Sequence, residues 1–188
     1  MSLIYANQHS ALETSPTPLQ LARHLGCAAL LVAGLGLASQ AFAKDLAYEG
    51  TFAWLAVGTT YTIEENHSYF VGEFGGSFVA ADHSGIFNGI GVVCPGFNDI
   101  GVSGGGYCVL TDAVGDRAFM NWSCKASAPT PGTLVTSDCL LNFVGGTGKF
   151  TGAKGSGPFK AYITAINPNG KASGYSTIEP LISVSVAN

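Results

Sequence analysis

Apolar side chains recur at every second position in short runs along most of the chain beyond residue 47. Tyr48, Phe52, Trp54 and Ala56 alternate with Glu49, Thr51 and Ala53, the period-two signature of a half-buried strand. Tyr61 and Ile63 alternate with Thr60, Thr62 and Glu64 in a second run, and Phe70, Phe74 and Phe78 make a third, in phase with Gly72 and Gly76. Glycines beside rings leave space for them and allow the coiling that closes a barrel. Residues 108–111 lead through a Gly-containing loop at 113–116 to Ala118, Met120 and Trp122, which predicts a hairpin. Residues 140–144, 159–165 and 173–178 predict three further strands. Gly145-Gly146-Thr147-Gly148 and Asn167-Pro168-Asn169-Gly170 read as turns, and 126–132, with Pro129 and Pro131, as a loop. About eight short strands at hairpin spacing, with no linker or repeat between them, predict an all-β domain: an antiparallel barrel or a sandwich.

Residues 1–43 fall outside this pattern. Arg23 and His24 precede an uncharged, largely apolar run over 26–43 that ends in Ala41-Phe42-Ala43, followed at once by Lys44-Asp45. Basic, apolar and small in that order predict a secretory signal cleaved after Ala43. A start codon placed too far upstream would explain the long segment before Arg23. The domain is then 44–188, and the expected location is secreted or periplasmic, with no membrane span in the processed chain.

Composition narrows the class further. Hydrophobic residues make up 47% of the chain and charged ones 11%, with 26 glycines, which excludes disorder and argues against a helical bundle. Eight Lys plus Arg against twelve Asp plus Glu give a net charge of −4. With no basic block, the electrostatic footprint of nucleic-acid binding through phosphate neutralisation is missing. Beyond residue 43 the chain keeps Cys94, Cys108, Cys124 and Cys139, an even set that predicts two disulfides in an exported chain. No C-x-x-C pair suggests zinc or a redox motif. Of three possible pairings, Cys94–Cys108 and Cys124–Cys139 are favoured, because each closes one loop between neighbouring strands.

The stretch Phe143-Val144-Gly145-Gly146-Thr147-Gly148-Lys149-Phe150-Thr151-Gly152-Ala153-Lys154-Gly155-Ser156-Gly157 resembles the Gly-rich segment of allene oxide cyclase and dirigent barrels. Residues 106–112 and the hairpin through Gly115-Asp116-Arg117 to Trp122 resemble exported bacterial relatives of those plant proteins. The likeness spans roughly residues 86–162. It implies a calycin-like antiparallel β-barrel of about eight strands, and a cyclase or isomerase acting on a reactive hydrophobic substrate as one function. Assembly of plant relatives through barrel surfaces leaves homo-oligomerisation open. The first strand, Tyr48-Glu49-Gly50, lacks the amide and Ser-Pro residues of the plant cyclases, so the fold carries over and the activity does not.

Other motifs carry less. Gly101-Val102-Ser103-Gly104-Gly105 matches G-x-S-x-G, but Gly104-Gly105-Gly106 cannot begin the helix that a nucleophile elbow requires. Gly148-Lys149 and Gly170-Lys171 fail the phosphate-loop spacing. His67 and His83, with Glu64, Glu65, Glu73 and Asp82 near them in sequence, show no metal-ligand spacing on one element. Asp112 and Asp116 read as turn residues rather than calcium ligands. No metal or cofactor is expected. Asn66-His67-Ser68 and Asn121-Trp122-Ser123 match the glycosylation pattern.

The aromatic set remains. Small barrels fill their interiors with side chains or hold one small ligand. Candidate lining residues are Glu49, Phe52, Trp54, Tyr61, Glu73 and Trp122, with Glu49 or Glu73 as the inward carboxylate that would orient a ligand or act as acid or base. The leading expectation is a non-catalytic barrel that binds a small apolar ligand or a protein partner. The alternatives are the cyclase-like enzyme and a structural or surface-associated protein without ligand.

Overall fold

The computed structural model describes residues 44–167 and 169–187. The expectations placed on 1–43, including cleavage after Ala43, lie outside the described residues. Eight strands follow in order: β1 (Lys44–Glu64), β2 (His67–Ala80), β3 (Ile90–Asp99), β4 (Ser103–Thr111), β5 (Arg117–Ser127), β6 (Val135–Gly146), β7 (Gly155–Asn167) and β8 (Lys171–Val186). Each pairs antiparallel with the next, and β8 returns to β1 to close the barrel. Closure leaves no exposed sheet edge.

Two of the expected runs differ. The runs around Tyr48–Ala56 and Tyr61–Ile63 belong to one strand of 21 residues, and β3 was not expected as a strand. Gly91, Pro95 and Gly96 interrupt its apolar signal. Pro95 is tolerated because it faces outward, exposed, beside Glu73 of β2.

The lower end of the barrel, where β2 runs into β3 and β6 into β7, is plugged by rings. Tyr48 stacks on Phe78 with centroids 4.3 Å apart and meets Phe87 and Phe143 edge-on at 5.0 and 5.2 Å. Phe150 closes the cluster against Phe87 at 5.4 Å. None of the five is more than 2% exposed. Phe87 comes from the 81–89 loop, which Asn88 pins by accepting from the Ala80 N–H and donating to the His83 carbonyl. Phe150 comes from the Gly-rich segment, where Gly148–Phe150 makes one 3-10 turn. Gly148 has φ +53°, and a Cβ there would collide with the Asp116 carboxylate, which accepts from the Lys149 N–H at 3.1 Å. That glycine is required by both backbone and space. The segment is a structural plug.

Candidate functional site

Above the plug, one ring from each of three strands points inward: Trp54 of β1, Phe74 of β2 and Trp122 of β5. Phe74 stands perpendicular to both indoles, with centroids 5.3 Å from Trp54 and 5.7 Å from Trp122. The indoles fit because glycines face them. A Cβ on Gly174 would enter the Trp54 ring, and one on Gly96 would lie 2.8 Å from Trp122 Cζ2. Glycine within a strand here marks the bed of a large ring.

These rings do not fill the interior. They border a cavity of about 70 Å³ whose floor is Tyr48, more than the about 10–15 Å³ that a single water needs. The two halves of the wall differ chemically. The β3–β6 half presents sulfur from Cys94, Cys108, Cys124 and Met120 beside Trp122 and Leu141, and the other half presents Phe52, Phe159 and Ile178 without sulfur. The disulfides pair as expected. The β3–β4 register sets Cys94 opposite Cys108, and Cys124 is the direct partner of Cys139 across β5 and β6.

The polar groups of this wall are few and uncharged. Asn98, Ser137 and Ser176 line it, and Trp54 Nε1 donates to Ser176 Oγ at 3.4 Å. The Trp122 indole N–H is buried with no acceptor among the described residues. Burial holds the Tyr48 phenol well above its ordinary pKa, so it stays neutral. Among the described residues, no Asp, Glu, His, Lys or Arg side chain lines the cavity. A smaller space beside it shares Trp54, Phe74 and Asn98 and reaches Lys171.

Of the candidate lining residues, Phe52, Trp54 and Trp122 border the cavity. Glu49, Tyr61 and Glu73 do not. Glu49 sits at an irregularity in the β1–β8 ladder, between inward Tyr48 and Gly50. Tyr61 is 53% exposed, because β1 continues unbroken and its even-numbered residues face inward. Glu73 is exposed between Val57 and Pro95 on the outer face. The cavity therefore has no inward carboxylate. Asn98, Ser137 and Ser176 were not anticipated, since serine and asparagine in strands carry no signal of direction until the register is known.

The other motifs settle into local roles. Ser103 opens β4 after a turn with Gly101 at φ +80°, and a strand rather than a helix follows it. His67 pairs with Asp99 across β2 and β3 at 2.5 Å, while His83 lies past the other end of β2. Among the described residues no group of three or more His, Cys, Asp or Glu is placed to hold a metal. Asp112 accepts from the N–H groups of Val114 and Asp116, and Lys149 reaches its carboxylate at 2.5 Å. The lysine holds that carboxyl below the usual range.

No protein-family model matches the chain, and neither a curated protein nor a solved structure does. The two disulfides of the barrel are the covalent marks of an oxidising compartment.

Proposed function

We propose that this is an exported, secreted or periplasmic binding protein that holds a small apolar molecule in its barrel without chemically altering it. One observation carries the reading: an interior lined by rings, aliphatics and sulfur keeps open space for several waters above a closed plug. A well-packed core leaves few voids of that size, and apolar space of this kind takes apolar ligands. A cyclase-like reading, as the likeness to allene oxide cyclase suggests, would use an inward carboxylate, and Glu49 and Glu73 face away from the cavity. Protein contact is supported by a separate feature, an outer apolar row that runs in register through Leu55, Gly75, Val93, Val109 and Phe119.

Both tryptophans of the chain border the cavity, so intrinsic fluorescence reports its occupancy. Titration with a panel of small apolar compounds is expected to give saturable changes and raised melting temperatures. Ala161→Phe, which fills the space from the wall, is expected to abolish both while the protein stays folded. No saturable change with any compound would refute the reading. A concentration-dependent sedimentation coefficient, lost on Leu55→Lys, would then favour the outer face.

A further inference from the structure

The walls of the cavity restrict what it accepts beyond being apolar. Its volume sets the size. A volume of about 70 Å³, against about 150 Å³ for an apolar cavity that takes benzene, admits a ligand of no more than about one ring. Its charge sets the ionisation state. With no cationic side chain on the wall, a carboxylate entering it would exchange its hydration for neutral donors alone, such as the Trp122 N–H, a large cost in an apolar site.

The third restriction comes from the arrangement of sulfur and rings. Cys94, Cys108, Cys124 and Met120 put sulfur on the lining, all of them from strands β3 to β6. Phe159 pairs directly with Cys139 across β6 and β7, and Phe52 with the Trp54–Phe74–Trp122 set completes the ring-bearing part of the lining. Sulfur is soft and polarisable and favours contact with ring edges, and ring faces favour the edges of other rings. A saturated molecule of equal size gains neither. Resting on the binding reading above, the geometry points to a neutral aromatic molecule of about one ring as the ligand class of this barrel.

The test uses toluene, methylcyclohexane, benzoate and decanol as probes, read by tryptophan fluorescence and by thermal shift. Methylcyclohexane leaves water more readily than toluene, so simple hydrophobicity favours it. The inference expects the reverse, with toluene bound at least about threefold more tightly, the lower part of the range for a few sulfur–ring and ring–ring contacts. Benzoate is expected to show no saturable binding. Met120→Leu, which keeps the volume, is expected to reduce the toluene preference by about twofold or more. Equal or reversed affinities for toluene and methylcyclohexane would overturn the aromatic class, and saturable benzoate binding would overturn neutrality. Decanol binding without toluene binding would overturn the one-ring size and leave the cavity reading standing. If none of the four binds, the inference falls. If, in addition, nothing in the wider apolar panel binds, the cavity reading falls with it.

Discussion

Phe87 is the one ring of the plug supplied by the 81–89 loop, and it touches three of the other four, Tyr48, Phe143 and Phe150, with centroids 5.0 to 5.9 Å away. Phe87→Ala removes a side chain only 2% exposed from a site walled by rings that strands hold in place. Such a site collapses poorly, so the loss belongs in the range of about 3–5 kcal/mol seen for buried Phe→Ala. An unfolding entropy of about 2.1 cal/mol/K per residue over a barrel of roughly 140 residues gives about 0.3 kcal/mol/K, hence a fall in Tm of about 10–17 °C. Thermal unfolding followed by circular dichroism under non-reducing conditions measures it. Val114→Ala at the same end of the barrel, where the side chain is 81% exposed, provides the control and is expected to shift Tm by no more than about 2 °C. A fall of less than about 4 °C for Phe87→Ala, with the far-ultraviolet spectrum unchanged, would show that the plug does not act as one packed unit. The vacated volume lies beneath Tyr48, so the variant also tests whether the cavity floor is fixed. If it is, toluene affinity stays within about twofold of the wild type.

Two further expectations follow from the covalent and titratable groups. The disulfides close loops with separations of 14 and 15 residues, each worth about 3 kcal/mol on the chain-entropy estimate. Replacing either pair by serines is expected to lower urea-unfolding stability by at least that amount, and an unchanged midpoint would refute it. Tyr48 is buried with its pKa raised by desolvation. Above the ordinary tyrosine value of about 10, the unfolded chain loses this proton while the folded one retains it. Stability therefore falls as pH rises beyond that point, by up to about 1.4 kcal/mol per pH unit. Tyr48→Phe is expected to flatten that part of the stability profile, and an unaltered alkaline slope would count against a buried neutral phenol.

The fold was largely legible because period-two alternation and turn residues are local signals. Phe70, Phe74 and Phe78 announced β2, and Gly145-Gly146-Thr147-Gly148 announced the break after β6. The strand count of eight nevertheless came from two offsetting differences, since β1 was read as two runs and β3 as none. Alternation continues through Gly58 and Thr60, where small and polar inward residues hide the phase. Phase also decided the site. The rule that turns Tyr48 and Phe74 inward turns the adjacent Glu49 and Glu73 outward, so an inward carboxylate was inconsistent with the aromatic pattern itself. Asn98, Ser137 and Ser176 became visible only when eight registers brought distant strands around one space.

The disulfides divide the barrel unequally. Strands β3 to β6 carry both staples, whereas β7, β8, β1 and β2 are joined by hydrogen bonds and packing alone. The unstapled half also contains the seam where Lys44 pairs with Val186, so both ends of the barrel chain leave from the same place. A force applied to those ends loads the β1–β8 ladder one rung at a time, as a zip rather than in shear. Residues before Cys94, between Cys108 and Cys124, and after Cys139 can extend, while the loops closed at Cys94–Cys108 and Cys124–Cys139 stay short. Under such a load the extensible length is that of the chain outside the two closed loops, shorter than the full barrel by the two segments the cystines lock.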